Sequence, residues 1–116
     1  MTDINWWTIS LGSDEQQAVL SAMKNKKIGM GEITQSLEKK ISNLLGVPYA
    51  VLCSSGSSAL FMALSALGIE KGDEVIVPNR TFVATANAAL LTGARVSLVD
   101  VGINYLIDPE INKLHG

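Results

Sequence analysis

The clearest periodicity in the chain is helical and lies in its first half. Apolar residues recur at intervals of four, four and three positions, which predicts an amphipathic helix bearing Ile33, Leu37, Ile41 and Leu44. Gly46 is expected to end this helix, because glycine tolerates the left-handed conformation found at helix C-termini. Pro48 then prevents its continuation.

A shorter helix is predicted before it. The segment Ser13-Asp14-Glu15-Gln16 has the spacing of a capping box, with Ser13 as the cap and Gln16 three residues later. Lysines at 24, 26 and 27 follow at the negative end of the helix dipole, where positive charge is favourable. The apolar residues of this helix fall on one face, which consists of Val19, Leu20 and Met23.

The second half of the chain alternates short apolar runs with helical segments. Strands are predicted at 50–53, 74–77 and 95–100. Helices are predicted between them at 59–67 and, capped by Thr81, at 82–91. A further helix is expected to begin near Asp108, with Pro109 at its first position.

This alternation predicts an α/β fold: a mostly parallel sheet with flanking helices. In a chain with only three predicted strands, both faces of such a sheet cannot be well covered. We therefore interpret residues 1–116 as a single partial domain that stops within its fold. Open apolar faces and strand edges also predict self-association of the isolated chain.

Composition narrows the function classes. A hydrophobic fraction of 47% with 17% charged residues is typical of a globular protein, and a net charge of −2 argues against a nucleic-acid-binding surface. No signal peptide and no apolar stretch long enough for a membrane span is found. Cys53 is the single cysteine, so a reducing cytoplasm is expected, and its apolar neighbours predict a buried, inert thiol.

The segment from Ser54 to Ser58 is the most informative about chemistry. It joins a predicted strand to a predicted helix, where free backbone N–H groups and the helix dipole favour an anion. Gly56 permits a tight turn and close approach of the backbone, and Ser57 and Ser58 add hydroxyl donors. A phosphate site and a simple helix cap both explain these residues, and the segment alone leaves the two open.

Phe82 is the second informative residue. It follows a strand end, where open α/β sheets bind ligands, and its ring could stack on a flat heteroaromatic cofactor. Taken alone, a phenylalanine at such a position is more often a core residue. Other motif classes are absent from the sequence: the dinucleotide-binding and Walker loops, the nucleophile elbow, and a cluster of metal-ligating residues.

An ordered series of motifs resembles the DegT-type nucleotide-sugar aminotransferases, which are fold-type I pyridoxal-phosphate enzymes. The series comprises Ser55-Gly56-Ser57-Ser58-Ala59-Leu60, Gly72-Asp73-Glu74-Val75-Ile76-Val77-Pro78, Thr81-Phe82-Val83-Ala84-Thr85-Ala86-Asn87, Gly93-Ala94 and Val99-Asp100-Val101. Gly29-Met30-Gly31 and Leu37-Glu38 add to it, although the family usually has an aromatic residue at the Leu37 position.

The resemblance implies specific roles. Gly56, Ser57 and Ser58 would hold the phosphate of pyridoxal phosphate, and Phe82 would stack on its pyridine ring. The family often has threonine at the Ser57 position, and serine keeps the hydroxyl. The aspartate that pairs with the pyridine nitrogen and the lysine that binds the cofactor lie beyond residue 116 in the family's pattern. No lysine of this chain is assigned the catalytic role.

Three functions follow as alternatives. The first is part of an aminotransferase that moves an amino group from a donor such as glutamate to a nucleotide-linked keto sugar. Such enzymes are generally homo-oligomers with active sites at subunit interfaces. The second is a related dehydratase, in which histidine replaces the lysine. The third is a catalytically incomplete module that binds an anion or a partner.

Overall fold

The computed structural model describes residues 7–107. Its contacts divide the chain into two compact units, with the boundary between Val51 and Leu52. The first unit contains α1 (Ser13–Lys24) and α2 (Glu32–Leu45). The second contains α3 (Gly56–Ala66), β1 (Glu74–Pro78), α4 (Ala84–Leu91) and β2 (Arg95–Val99).

The N-cap of helix α1 lies one residue earlier than predicted. Gly12, not Ser13, is its N-cap, and the Gly12 N–H donates to Glu15 Oε2 at 2.7 Å. Both the Ser13/Gln16 pair and the Gly12/Glu15 pair have the three-residue spacing of a capping box. The carboxylate is the stronger acceptor, since it is charged and lies at the positive end of the helix dipole.

Helix α2 ends as predicted. Gly46 is its C-cap in the left-handed conformation, with φ of 65°, and Val47 N–H donates to Ser42 O at 3.0 Å. At the other end, Lys27 forms an ion pair with Glu32 in the first turn. The helices of this unit are therefore terminated by local backbone geometry and neighbouring charges.

The second unit contains a β–α–β arrangement. β1 and β2 are adjacent and parallel, with Glu74 opposite Arg95 and Pro78 opposite Val99. α4 connects them and packs against both strands and against α3. The buried apolar residues of the described chain all lie in this arrangement: Val77, Ala84, Ala88, Ala89 and Ala94. The predicted α/β fold with a parallel sheet and flanking helices is confirmed.

The predicted strand at 50–53 is wrong. The sheet consists of β1 and β2, and residues 50–53 have no regular secondary structure. A short apolar run indicates that a segment is suited to a sheet, but a strand also needs a neighbouring backbone with which to form its ladder. β1 and β2 fill that role for each other.

Three other predictions in this half change. Cys53 is exposed rather than buried, because its segment lies outside the sheet. α3 begins at Gly56, three residues before the predicted start, and α4 begins at Ala84, so Thr81 does not cap it. The helix predicted to begin near Asp108 lies outside the described residues. Among the helices of residues 7–107, none has the length and apolar character needed to cross a membrane.

Candidate functional site

The serine segment forms the cap and the first turn of α3. Ser55 is the N-cap in an extended conformation, and its Oγ accepts a hydrogen bond from Ser58 N–H at 3.1 Å. The Ser55 carbonyl accepts from Ala59 N–H at 3.0 Å, which closes the first helical turn. Of the two interpretations left open by the sequence, the helix cap therefore applies to Ser55.

Capping by Ser55 leaves other donors of the turn open. Within the described part of the chain, the N–H groups of Gly56 and Ser57 and the Ser57 hydroxyl donate to no acceptor. Gly56 faces open space, since a Cβ placed on it would meet no atom within 4 Å. These groups lie at the positive end of the α3 dipole, so the turn presents hydrogen-bond donors where an anion is favoured.

The Ser58 hydroxyl has a different environment from that of Ser57. Its Oγ lies 3.0 Å from Ser55 Oγ and 3.4 Å from Ser54 Oγ. The three hydroxyls thus form a small cluster on one side of the turn. A hydroxyl rotates freely, so Ser58 can donate either within this cluster or outward. Ser57 lies outside the cluster.

Phe82 lies in the segment that connects β1 to α4. Its side chain is 74% exposed, so the core position that would explain a lone phenylalanine does not apply in this structure. The Phe82 carbonyl accepts from Thr85 N–H at 3.0 Å, and Thr81 Oγ1 lies 3.0 Å from Thr85 Oγ1. The exposed ring therefore projects from a segment that is fixed to the first turn of α4.

The same segment is also attached to the end of β2. Asn79 N–H donates to Val99 O at 2.8 Å, which extends the parallel ladder beyond β1, and the Asn79 side-chain amide donates to Asp100 Oδ1. Asn79 and Asp100 follow the carboxyl ends of adjacent parallel strands, the edge at which open α/β sheets bind ligands. Sequence reasoning included Asp100 in a motif but missed Asn79. The signal for Asn79 was its position two residues after the end of the predicted strand at 74–77.

The opposite end of the sheet carries an ion pair. Arg95 donates to Glu74 Oε2 at 3.0 Å, and the Ser97 hydroxyl donates to the other carboxylate oxygen of Glu74. The Ser97 hydrogen bond and then the Arg95 guanidinium lower the pKa of Glu74 below its ordinary value. Arg95 is therefore occupied by an acidic partner, far along the strands from the Asn79 edge.

The predicted site residues fall in two segments of the second unit. Gly56, Ser57 and Ser58 are consecutive in the first turn of α3, and Phe82 lies just before α4, which packs against α3. The open N–H groups and hydroxyls fit a phosphate dianion, which accepts several hydrogen bonds. The exposed ring fits a planar heteroaromatic group. The residues present therefore suit pyridoxal phosphate at its phosphate and ring.

Comparison with known proteins agrees with these features. The sequence model of the DegT/DnrJ/EryC1/StrS aminotransferase family matches residues 10–113 of this chain. A protein named as a sugar aminotransferase from Streptococcus pneumoniae, solved with pyridoxal phosphate, has a TM-score of 0.83 at 27% identity over 90% of this chain and 27% of its own.

Two further solved structures are similar. The GDP-4-keto-6-deoxy-D-mannose-3-dehydratase of E. coli, with bound hydrated pyridoxal phosphate, has a TM-score of 0.81 at 34% identity, over 89% of this chain and 28% of its own. An aminotransferase from Psychrobacter cryohalolentis has a TM-score of 0.74 at 32% identity, over 80% of this chain and 24% of its own. The chain thus spans less than a third of each of these relatives.

Proposed function

Because this chain belongs to the DegT/DnrJ/EryC1/StrS aminotransferase family, we propose that it forms the N-terminal part of the large domain of a pyridoxal-phosphate-dependent enzyme. The enzyme transfers an amino group from an amino acid such as glutamate to a nucleotide-linked keto sugar. It acts in the cytoplasm, as a homo-oligomer, in the biosynthesis of amino sugars. The observation that carries the proposal is the set of open donors at the N-terminus of α3, in a chain matched by the family along most of its length.

The turn at the start of α3 binds the cofactor phosphate. Gly56 and Ser57 donate through their N–H groups, and the hydroxyls of Ser57 and Ser58 complete the set. Ser55 keeps the turn in shape by accepting from Ser58 N–H. When bound, pyridoxal phosphate supplies the electron sink for the reacting carbon. The residues described here bind and orient that group, and none of them is assigned a proton transfer.

Phe82 orients the cofactor ring. Its exposed side chain offers an aromatic face, and stacked aromatic pairs contribute about 0.5–1.5 kcal/mol beyond the area that they bury. The segment that carries it is attached to β2 through Asn79 and to α4 through Thr85. The backbone that carries the ring is therefore held by both neighbouring elements, which limits the positions from which the ring can stack.

Ser57→Ala and Ser55→Ala in the full-length protein separate phosphate binding from helix capping. Ser57→Ala is expected to raise the cofactor dissociation constant roughly tenfold, because a hydrogen bond to a charged group is lost, with little change in stability. Ser55→Ala is expected to lower the free energy of unfolding by about 1 kcal/mol through loss of the cap. Spectroscopic cofactor titration and urea unfolding measure the two effects. Unchanged cofactor affinity in Ser57→Ala would contradict the phosphate assignment.

Phe82→Ala tests the ring assignment. A rise of several-fold in the cofactor dissociation constant is expected, together with a change in the absorption spectrum of the bound cofactor. Phe82→Tyr keeps an aromatic face and should restore most of the affinity. If both variants bind the cofactor like the unmodified protein, Phe82 does not stack on it.

A dehydratase is the second candidate, since a matched structure with 34% identity is a sugar 3-dehydratase. The two reactions differ in their products. Incubation of the full-length protein with glutamate and a nucleotide-linked 4-keto sugar, followed by mass spectrometry, decides between them. An aminated sugar supports the aminotransferase, and a deoxygenated keto sugar supports the dehydratase.

A further inference from the structure

Arg80 and Tyr105 form a contact that the proposed cofactor site does not use. The Arg80 guanidinium carbon lies 4.2 Å from the centroid of the Tyr105 ring, within the range of a cation–π interaction. Arg80 is an exposed residue that follows the end of β1 and comes two residues before Phe82. The contact thus lies at the carboxyl edge of the sheet, on the same connecting segment as the ring proposed to stack on the cofactor.

The charge of Arg80 has no acidic partner in the described part of the chain. The ion pairs found there join Lys27 to Glu32 and Arg95 to Glu74. A ring takes up one face of a guanidinium, whereas its five N–H donors point outward in the plane of the group. Tyr105 therefore orients Arg80 without using its hydrogen bonds. The edge of the Arg80 guanidinium remains available for a carboxylate or a phosphate, which a guanidinium binds through two parallel hydrogen bonds.

Both sides of the contact are held by hydrogen bonds. On the arginine side, Asn79 is attached to Val99 and to Asp100, so the backbone next to Arg80 is fixed to the ends of both strands. Tyr105 has a φ of 62°, a left-handed conformation that is unfavourable for a residue with a large side chain. Strain of this kind persists only where the surroundings enforce it, and it is concentrated at functional sites.

The surroundings that enforce the Tyr105 conformation form a closed turn. Tyr105 N–H donates to Gly102 O at 2.9 Å, and Gly102 N–H donates to Leu106 O at 2.9 Å. A β-bridge between Val101 and Ile107 closes the loop at its base. This loop leaves directly after Asp100, so the tyrosine and the arginine are presented from the ends of neighbouring strands.

We propose that Arg80, oriented by the Tyr105 ring, binds an oxyanion of the substrate. This inference rests on the proposed function, because it takes the substrate to carry such a group. The oxyanion belongs either to the carboxylate of the amino donor or to the phosphates of the nucleotide sugar. Arg80 is a substrate-binding residue in either case, and Tyr105 is a positioning residue that acts through it.

Arg80→Gln in the full-length holoenzyme tests the proposal, with Arg95→Gln as the matched control. Both remove one exposed arginine from the same unit, but Arg95 is paired with Glu74 at the opposite end of the sheet. Binding of two probes is measured by calorimetry: guanosine or uridine diphosphate for the nucleotide sugar, and 2-oxoglutarate for the donor. Arg80→Gln is expected to weaken binding of at least one probe roughly tenfold, because a charge-assisted hydrogen bond is lost.

The two probes identify the source of the oxyanion. Weakened nucleotide binding assigns Arg80 to the sugar nucleotide, weakened 2-oxoglutarate binding assigns it to the donor, and weakening of both assigns it to an oxyanion that the two substrates share. Equal weakening in Arg80→Gln and Arg95→Gln would overturn the proposal, since it would show only a long-range charge effect. Unchanged binding of both probes in Arg80→Gln would overturn it as well.

Variants of Tyr105 test the positioning role. Tyr105→Phe keeps the aromatic face and should bind the probes like the unmodified protein. Tyr105→Leu removes the face and should reproduce part of the Arg80→Gln defect, with KM for the affected substrate raised more than kcat is lowered. Tyr105→Leu with unchanged probe binding and unchanged KM overturns the role of the ring.

Failure of this proposal is distinguishable from failure of the proposed function. If the holoenzyme transfers amino groups while Arg80→Gln binds both probes normally, only the role of Arg80 is wrong. If Arg80→Gln loses probe binding but the unmodified protein produces no amino sugar, the oxyanion site stands and the proposed reaction is wrong.

Discussion

The two compact units of the chain are stabilised in different ways. In residues 7–51 no residue is buried, and the ends of the helices are fixed by contacts within a few residues of each other, such as Gly12 with Glu15. In residues 52–107, Val77 and a group of alanines are buried between strands and a helix. The strands of this unit pair residues that are about twenty positions apart in the chain, such as Glu74 and Arg95.

This difference shows where the folding information is located. Local signals, such as a cap or a glycine at a helix end, define the first unit almost completely. The second unit depends on packing, and alanines at its core let α4 approach the strands closely. All the proposed binding residues lie in the second unit. The more extensively packed region is thus the one that carries the candidate chemistry.

Val77→Ala should have the largest effect on this contrast. Val77 is 1% exposed, and removing two buried carbon atoms is expected to lower the free energy of unfolding by about 2 kcal/mol. Ile76→Ala is the control, because Ile76 is the adjacent residue on the opposite face and is 60% exposed. Urea unfolding of the full-length protein measures both. An equal loss in the two variants would show that α4 is not the main cover of this sheet.

Gly46→Ala should have the next largest effect, in the other unit. A side chain at φ of 65° is strained, so a loss of about 1 kcal/mol is expected. Gly29→Ala is the matched control, because a Cβ there meets no atom within 4 Å and its φ is not in the left-handed region. Thermal unfolding followed by circular dichroism compares them. If Gly46→Ala is as stable as Gly29→Ala, the cap does not limit α2.

Glu15→Ala should have a smaller and local effect. The carboxylate accepts from Gly12 N–H, and hydrogen bonding to the Glu15 backbone and then to the Gly12 backbone lowers the pKa of Glu15. Its loss should speed amide hydrogen exchange in the first turn of α1. Gln16→Ala should leave that exchange unchanged, since Gln16 belongs to the capping box predicted from the sequence but not observed. The reverse result would restore the predicted cap at Ser13.

The pH dependence of Glu74 should be the smallest effect. Its pKa is lowered in the folded chain, chiefly by the Ser97 hydroxyl and then by Arg95. The stabilisation is therefore present above the ordinary value and is lost as pH falls through the lowered folded value. Glu74→Gln should lose less stability than the unmodified protein on acidification from pH about 7 to about 3. Identical acid sensitivity would show that this ion pair does not contribute to stability.

The sequence predicted the parts of the fold that depend on local chemistry. The body of α2 and its end at Gly46 followed from spacing and from glycine, and the order β1, α4, β2 followed from alternating apolar runs. The segment 50–53 could not be predicted in the same way. Its apolar character is a property of the sequence, whereas pairing is a property of a neighbouring strand.

The candidate site shows the same division. Ser57, Ser58 and Phe82 could be proposed from the sequence because their residue types carry recognisable chemistry next to predicted element ends. Arg80 and Tyr105 were missed because they are distant in sequence and their contact depends on a loop that turns back on itself. No periodic pattern encodes such a contact.

The hydrogen bond from Ser58 N–H to Ser55 Oγ has a consequence for affinity. This hydrogen bond orders the first turn of α3 through the chain's own groups, so the backbone of the turn loses little conformational entropy when an anion binds. The loss occurs during folding instead. A phosphate-binding turn that is preorganised in this way binds its anion more tightly than a flexible loop with the same donors, because less of the interaction energy is offset by ordering the backbone.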